Sequence, residues 1–354
     1  MKIKNLCSYA PKSKIKAGEA VENAKYLFFT SSTDENKRYT DFQFDKEAII
    51  MGTGGNATLH YYNGKFSVST DCLVLLPNSK IKCKYLYYFF KSHMSVLEAG
   101  FKGAGLKHTN KKYIEEININ EVPDLTTQEK IISHLDTISD NIEKLNRELE
   151  LFDSLTKARF VEMFGDSQIN EKGFIKAPMG EYLSLLTDFS SNGSYKTLDS
   201  GVVMYDEPNY AWMVRTTDLE SGDMSSIKYI DEKAYELLSK SKIFGGEIIM
   251  NKIGSAGKIY IIPKLTMPAS LGRNAFMFRY DERINNIFMY YLLTSDYGQR
   301  EIQQYVRGAV TKTITKDDAR AVLIIVPPLE LQQQFADFVQ QVDKSKYDDM
   351  YIRY

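Results

Sequence analysis

Apolar residues fall at Ile131, Leu135, Ile138, Ile142, Leu145, Leu149 and Phe152, with gaps of four and three in alternation. That is a heptad seam on a long helix. Charges such as Glu143, Lys144, Arg147, Glu148 and Glu150 fill its outer face. Pro123 precedes it, and Thr126-Thr127-Gln128-Glu129 supplies a cap and an early acid. From Thr126 to Phe164 the helix would be roughly 58 Å long at 1.5 Å per residue. A seam this regular needs a partner.

Elsewhere the pattern is shorter in period. Apolar runs at Ala48–Met51 and Cys72–Leu76, and again at Ile248–Asn251, Ile259–Ile262 and Ala275–Arg279, predict strands. One helix is expected near residues 84–98 and one near 285–303. Gly- and Asn-rich loops separate these elements.

The runs recur in order, about 200 residues apart. Glu47-Ala48-Ile49-Ile50-Met51 matches Gly246-Glu247-Ile248-Ile249-Met250. Tyr85-Leu86-Tyr87-Tyr88-Phe89-Phe90-Lys91-Ser92 matches Phe288-Met289-Tyr290-Tyr291-Leu292-Leu293-Thr294-Ser295. Lys102-Gly103-Ala104 matches Arg307-Gly308-Ala309, and Val122-Pro123-Asp124-Leu125-Thr126-Thr127-Gln128 matches Val326-Pro327-Pro328-Leu329-Glu330-Leu331-Gln332. The reading is a tandem duplication of an α+β head, each copy followed by a helix. The expected regions are a head over 1–122, a helical region over 123–166, a second head over 167–325 and a shortened helical region over 326–354.

In the second helix Phe335, Val339 and Val342 take the places of Ile131, Leu135 and Ile138. Lys346 then stands where Ile142 would be, and the chain runs out in Tyr347-Asp348-Asp349-Met350-Tyr351-Ile352-Arg353-Tyr354. Part of the long seam is left without a counterpart. Either the end is a frayed tail, or the open seam binds another chain, or the product is a truncated one.

Composition narrows the chemistry. The chain has 354 residues, 45 Lys+Arg against 46 Asp+Glu, and a net charge of -1, which argues against a uniformly basic coat on nucleic acid but not against local basic patches. Cys7, Cys72 and Cys83 show no metal-like or redox-like spacing, and the four histidines never pair as ligands do, so no metal site is expected. No apolar run is long enough for a membrane span and no signal peptide precedes the chain, so a cytoplasmic protein is expected. Gly254-Ser255-Ala256-Gly257-Lys258 lacks the first Gly and the Ser/Thr of a phosphate-binding loop. Val326-Pro327-Pro328-Leu329 is not the loop of an amino-methyltransferase. Glu115-Glu116 and Asp317-Asp318 read as solvated charge. No catalytic set emerges.

The basic loops say more. Lys102-Gly103-Ala104-Gly105-Leu106-Lys107-His108-Thr109-Asn110-Lys111-Lys112 and Arg307-Gly308-Ala309-Val310-Thr311-Lys312-Thr313-Ile314-Thr315-Lys316 occupy equivalent places. Small residues admit close backbone approach, and Lys, Thr and backbone N–H groups hold phosphate oxygens. Lys102, Lys107, His108, Lys111, Arg307, Lys312 and Thr313 are therefore candidate DNA contacts. Thr53 and Asn56 in the first head, and Arg215, Lys252, Ser255, Lys258 and Arg273 in the second, have chemistry suited to base edges.

Taken together, the chain resembles the specificity subunit of type I restriction-modification systems. The Tyr-rich helices, the Lys102-Gly103-Ala104 and Arg307-Gly308-Ala309 loops and the Val-Pro entries to Gln-rich helices carry the likeness. So does Leu155-Thr156-Lys157-Ala158-Arg159-Phe160-Val161-Glu162-Met163-Phe164-Gly165-Asp166, which is similar to the end of the family's central region. The resemblance implies two target recognition domains, each reading half of a bipartite double-stranded DNA site. It implies helices forming an antiparallel coiled coil that spaces them. The estimated length equals roughly seventeen base pairs. It further implies docking of modification subunits, two in number, and association with restriction/translocase subunits. S-adenosylmethionine, ATP and Mg are expected on those partners, and this chain is expected to be non-catalytic. Two other classes remain open: an enzyme with degenerate motifs, and a coiled-coil adaptor that binds only protein.

Overall fold

The computed structural model describes residues 1–351, the side chains of residues 224 and 345–351 excepted. The chain divides into two compact units, Met1–Leu145 and Asn146–Tyr354.

In the first unit β1 (Cys7–Tyr9), β2 (Tyr26–Phe29), β3 (Arg38–Tyr39), β4 (Phe44–Gly52), β5 (Leu59–Val68) and β6 (Cys72–Pro77) build one sheet in the order β1-β6-β4-β5-β2-β3. Side chains alternate between its faces. Ile49, Met51 and Leu75 pack with Leu86, Phe90 and Ile114 from α1 (Cys83–Ser92) and α3 (Lys111–Glu116), and with Leu97 from α2 (Met94–Glu98). Ala48 and Ile50 turn to the opposite face, against Phe29, Phe66 and Val74. Both faces are covered, which is why Ala48–Met51 is a continuous apolar run rather than an alternating one.

The long helix α4 (Leu125–Phe164) has 40 residues, and residues 146–164 belong to the second unit. There follow β7 (Ile175–Pro178), β8 (Leu183–Asp188), α5 (Tyr195–Gly201), β9 (Ala211–Val214), α6 (Thr216–Ser221), β10 (Lys228–Ile230), α7 (Glu232–Leu237) and β11 (Lys242–Ile243). Next come β12 (Ile248–Asn251), β13 (Ile259–Ile261), β14 (Ala269–Leu271), β15 (Ala275–Tyr280), α8 (Asn286–Thr294) and α9 (Asp296–Gln303). The unit ends with α10 (Lys316–Ala321), β16 (Leu323–Val326) and α11 (Leu329–Tyr351). Its sheets run β13-β12-β15-β8, β10-β9-β14-β11 and β16-β7.

The duplication is legible in the topology. The order β8-β15-β12-β13 repeats β1-β6-β4-β5. A parallel pair follows in each unit, β2 with β5 and β9 with β14, and each is edged by an antiparallel strand, β3 or β10. One difference has a plain cause. The ten-residue β5 corresponds to two short strands, β13 and β14, with Pro263 and Pro268 between them. Proline has no N–H to give a ladder, so the strand breaks.

Three sequence expectations need correction. The single Tyr-rich helix is a pair in both copies, broken at His93 (φ -122°, ψ 39°) and at Ser295 (φ -66°, ψ 163°). Ser295 both ends α8 and caps α9, accepting from the Gly298 N–H. The first turn of α4 is capped by Asp124, not by Thr126. The Asp124 carboxylate accepts from the Thr127 N–H at 3.0 Å and from its hydroxyl at 2.8 Å. The seam of α4 is also unevenly used. Ile131, Leu135, Leu145 and Phe152 are half-buried, Leu149 is exposed, and Ile138 and Ile142 are each 54% exposed.

In α11 the corresponding Phe335, Val339 and Val342 are buried. Phe335 meets Phe160 and Phe164, which lie C-terminal to the seam, at ring-centroid distances of 5.3 and 5.6 Å. Phe338 lies under the Arg159 guanidinium, so the two helices run antiparallel here. At 23 residues α11 is the shorter helix, as expected; the Lys346 side chain and residues 352–354 lie outside the described residues.

Each Val-Pro entry conceals the same latch. The Gln128 amide donates to the Pro123 and Lys80 carbonyls at 2.7 and 3.2 Å and accepts from the Lys82 N–H at 2.7 Å. Gln332 donates to Pro327 and Arg283 at 2.8 and 3.1 Å and accepts from the Asn285 N–H at 2.8 Å. Both side chains are fully buried. Each ties the start of the long helix to the residues that open the Tyr-rich helix.

Candidate nucleic-acid interface

The two groups of candidate residues, remote in sequence, are brought together in each unit by the same backbone lacing. In the first unit residues 102 and 108 close a hairpin by reciprocal bonds, Lys102 N–H to His108 C=O at 2.9 Å and the reverse at 3.0 Å. The Gly55 N–H then donates to the Lys107 carbonyl at 2.9 Å, and the Thr109 N–H to the Thr53 carbonyl at 3.0 Å. In the second unit Arg307 and Thr313 close the hairpin at 2.9 and 2.7 Å. Gly254 donates to Lys312 at 2.9 Å, and Ile314 to Lys252 at 3.0 Å. Thus Thr53 and Asn56 sit beside Lys102, Lys107 and His108, and Lys252 and Ser255 beside Arg307, Lys312 and Thr313.

Glycine sets the shape of both hairpins. Gly103 (φ 150°) and Gly308 (φ 110°) are left-handed, and a Cβ on Gly103 would lie 2.7 Å from the Leu106 carbonyl oxygen. Helices α3 and α10 start directly after, capped by Asn110, which accepts from the Tyr113 N–H at 3.0 Å, and by a reciprocal Thr315–Asp318 box. The acidic pairs are already engaged: Glu116 takes Lys2 and Lys4 from the start of the chain, Asp317 takes Arg320, and Asp318 serves the cap.

The candidates differ in what already holds them. Lys102, Lys107 and Lys312 are exposed and have no carboxylate partner among the described residues. Arg307 reaches Asp318 at 2.9 Å yet stays largely exposed. Asn56 and Ser255 are exposed, while the Thr53 hydroxyl is spent on the Asp71 carbonyl at 3.0 Å. Lys111 lies 3.6 Å from Glu115 and over the Tyr9 ring at 4.4 Å.

The remaining second-unit candidates arrive paired. Arg215 grips the buried Asp218 through Nε and Nη2 and reaches the Ser226 carbonyl at 2.8 Å. It braces α6 rather than projecting from it. Lys258 is held by Glu220, which raises the lysine pKa. Arg273 pairs with Asp199 at 3.0 Å and lies over Phe189 and Tyr195 at 5.1 and 5.6 Å.

Sequence reasoning missed one residue that organises the second unit's loops. Asp188, at the end of β8 and buried, accepts from Lys252 at 2.9 Å, Lys316 at 2.9 Å and the Ser191 hydroxyl at 2.7 Å. Its partners Lys252 and Lys316 lie 64 and 128 residues away, so no local signal reports them. Burial by itself would raise the carboxyl pKa. The hydrogen bonds from Lys316, Ser191 and Lys252 outweigh it and hold the group at about 2.

A pH dependence follows. An unfolded aspartate titrates near 3.9, so the contribution of Asp188 is complete above that pH and is lost as pH falls towards about 2. Asp188→Asn is expected to cost the unit about 1–3 kcal/mol at pH 7. In urea unfolding the gap to the parent should narrow between pH 4 and pH 2; a gap constant with pH would exclude this role.

The whole chain has known counterparts. A family model described as the type I restriction modification DNA specificity domain matches residues 1–151 and 181–348. The type I restriction enzyme MjaVIII specificity subunit of Methanocaldococcus jannaschii is 24% identical over 318 residues, covering 84% of this chain and 72% of its own. The EcoDI specificity subunit of Escherichia coli is 23% identical over 356 residues, 93% of this chain and 78% of its own. In fold, the crystal structure of a type I restriction-modification system S subunit from M. genitalium matches with a TM-score of 0.66 at 16% identity, over 100% of this chain and 90% of that one. With two matched segments covering both units, the chain belongs to the family of type I restriction-modification DNA specificity domains and carries that domain twice.

Proposed function

We propose that this chain is the sequence-reading, non-catalytic subunit of a type I restriction-modification complex. Each unit would read one half of a bipartite double-stranded DNA target. The observation that carries this is the repeated interface: in both units a glycine-shaped basic hairpin is laced to the loop that follows the central strand, with Lys102, Lys107 and Lys312 unpaired beside Asn56 or Ser255. Unpaired lysines suit phosphate oxygens, and amide or hydroxyl side chains suit base edges. The carboxylate-held Arg215, Lys258 and Arg273 support the loops in this reading.

Methylation and cleavage belong to partners in this proposal. Two modification subunits would dock on the helices and bind S-adenosylmethionine. Restriction subunits would bring ATP- and Mg-dependent translocation. A target adenine would enter the modification subunit's pocket, not this chain's.

Methylome sequencing with and without this gene tests the proposal, with loss of one bipartite N6-methyladenine motif expected. At the level of residues, replacing Lys107, Lys111, Arg307 and Lys312 together by alanine should lower the slope of log affinity against log salt by about three to four. Unchanged affinity and slope would remove the hairpins from the interface.

The exposed Ile138 and Ile142 favour one second reading, an adaptor that binds only protein. That reading requires the intact chain to leave DNA unshifted at low salt.

A further inference from the structure

Both hairpins present an aliphatic side chain that the fold does nothing to cover. Leu106 is 70% exposed and Val310 is 97% exposed. Exposure of a single aliphatic residue is ordinary on a protein surface. Here it occurs at the tip of the same hairpin in both units, between cations each time: Lys102 and Lys107 around Leu106, Arg307 and Lys312 around Val310. The tips are not copies of each other, since Gly105-Leu106 in one corresponds in sequence to Val310-Thr311 in the other. An aliphatic group recurs although its position has moved by one residue.

Packing does not account for either side chain. The turn is shaped by backbone: reciprocal bonds close it, and Gly103 and Gly308 pass so near the Leu106 and Thr311 carbonyls that a Cβ would collide. Leu106 and Val310 are therefore free to be any residue as far as folding is concerned, and a polar one would suit solvent better.

We propose that Leu106 and Val310 are wedges that enter a DNA groove and press into a base step, partly unstacking it while the flanking cations hold phosphates on either side. This rests on the DNA-reading function proposed above. A narrow closed hairpin with a projecting aliphatic tip and basic shoulders has the form such insertion requires. The unpaired cations favour DNA over a protein surface as the occupant, because a purely apolar contact would leave Lys102, Lys107 and Lys312 desolvated without partners.

The test uses the full chain and a duplex selected by it from a random-sequence pool, with 2-aminopurine placed at each adenine in turn. The parent should raise fluorescence at one step for each hairpin. Leu106→Ser should abolish one rise and Val310→Ser the other, each weakening binding about 10-fold. The salt slope should stay unchanged, because no cation is removed.

Tight binding with no rise at any step overturns the wedge. So does a rise that survives both substitutions. Affinity that falls only when thymines are replaced by uracils assigns the tips to thymine methyl groups instead. Normal DNA binding with lost retention of the modification subunit makes the tips a protein contact. If no sequence is selected, the DNA-reading function fails and takes the wedge with it, an outcome distinct from binding without unstacking.

Discussion

Glutamate in place of Gln332 is expected to destabilise the second unit by about 3–5 kcal/mol at neutral pH, more than alanine does. The side chain is fully buried, and its amide nitrogen stands 2.8 Å from the Pro327 carbonyl and 3.1 Å from that of Arg283. Glutamate is nearly isosteric but turns that donor into an oxygen, so a buried carboxylate would face two carbonyl oxygens. Alanine removes the conflict but strands the Asn285 N–H and both carbonyls, a loss of about 2–4 kcal/mol.

The two variants separate by pH. The buried glutamate would have its pKa raised above the unfolded value near 4.3. Its penalty is thus full above the folded pKa and fades as pH falls towards 4.3, where the protonated acid donates one of the lost bonds. Gln332→Ala has no such relief. Urea unfolding at pH 7 and pH 4.5 should show the glutamate deficit shrinking and the alanine deficit steady; equal behaviour would mean the latch contributes through shape alone. Gln128, with the corresponding three partners Pro123, Lys80 and Lys82 in the first unit, should respond alike.

Phe335→Ala is the other substitution with a large expected effect, about 3–5 kcal/mol. Phe335 is fully buried and packs edge-on to Phe160, Phe164 and Tyr291 at 5.3, 5.6 and 5.2 Å. Phe164 in turn lies 4.8 Å from Phe288 of α8. This one side chain therefore holds α11 to both the end of α4 and the Tyr-rich helix of its own unit. Removal leaves a cavity among large rings that cannot close on it. Denaturation should show the loss, and hydrogen exchange should show α11 opening before the rest of the unit. Ile142→Ala, at a seam position of α4, should stay within about 0.5 kcal/mol because the side chain is largely exposed. Equal losses at both sites would mean that the seam, not the aromatic cluster, anchors the helices.

These contrasts show where a pattern in the chain stops being informative. The heptad at Ile131–Phe152 established that a long helix exists, and α4 has 40 residues. It did not say which positions are covered. Phe160 and Phe164, outside the seam, make the contacts to Phe335, because burial depends on which surfaces arrive from elsewhere in the chain. The Tyr-rich segments likewise break at His93 and Ser295, where apolar periodicity is silent: Ser295 caps the helix that follows it, while at His93 the backbone leaves the helical region with no side-chain cap.

For the interface, sequence alone determined the duplication, the α+β class, the two helices and the basic, glycine-bearing loops. All are periodic or local properties that survive without coordinates. Only the tertiary structure decided that Thr53 and Lys107, or Lys252 and Lys312, lie side by side, since the bonds joining their loops link residues roughly fifty to sixty positions apart. It also decided which cations are free. Lys107 and Lys252 look alike as letters, but one stands in solvent and the other is bound to Asp188. An ion pair is a property of distance in space, and a carboxylate sixty-four residues away leaves no mark beside the lysine it holds.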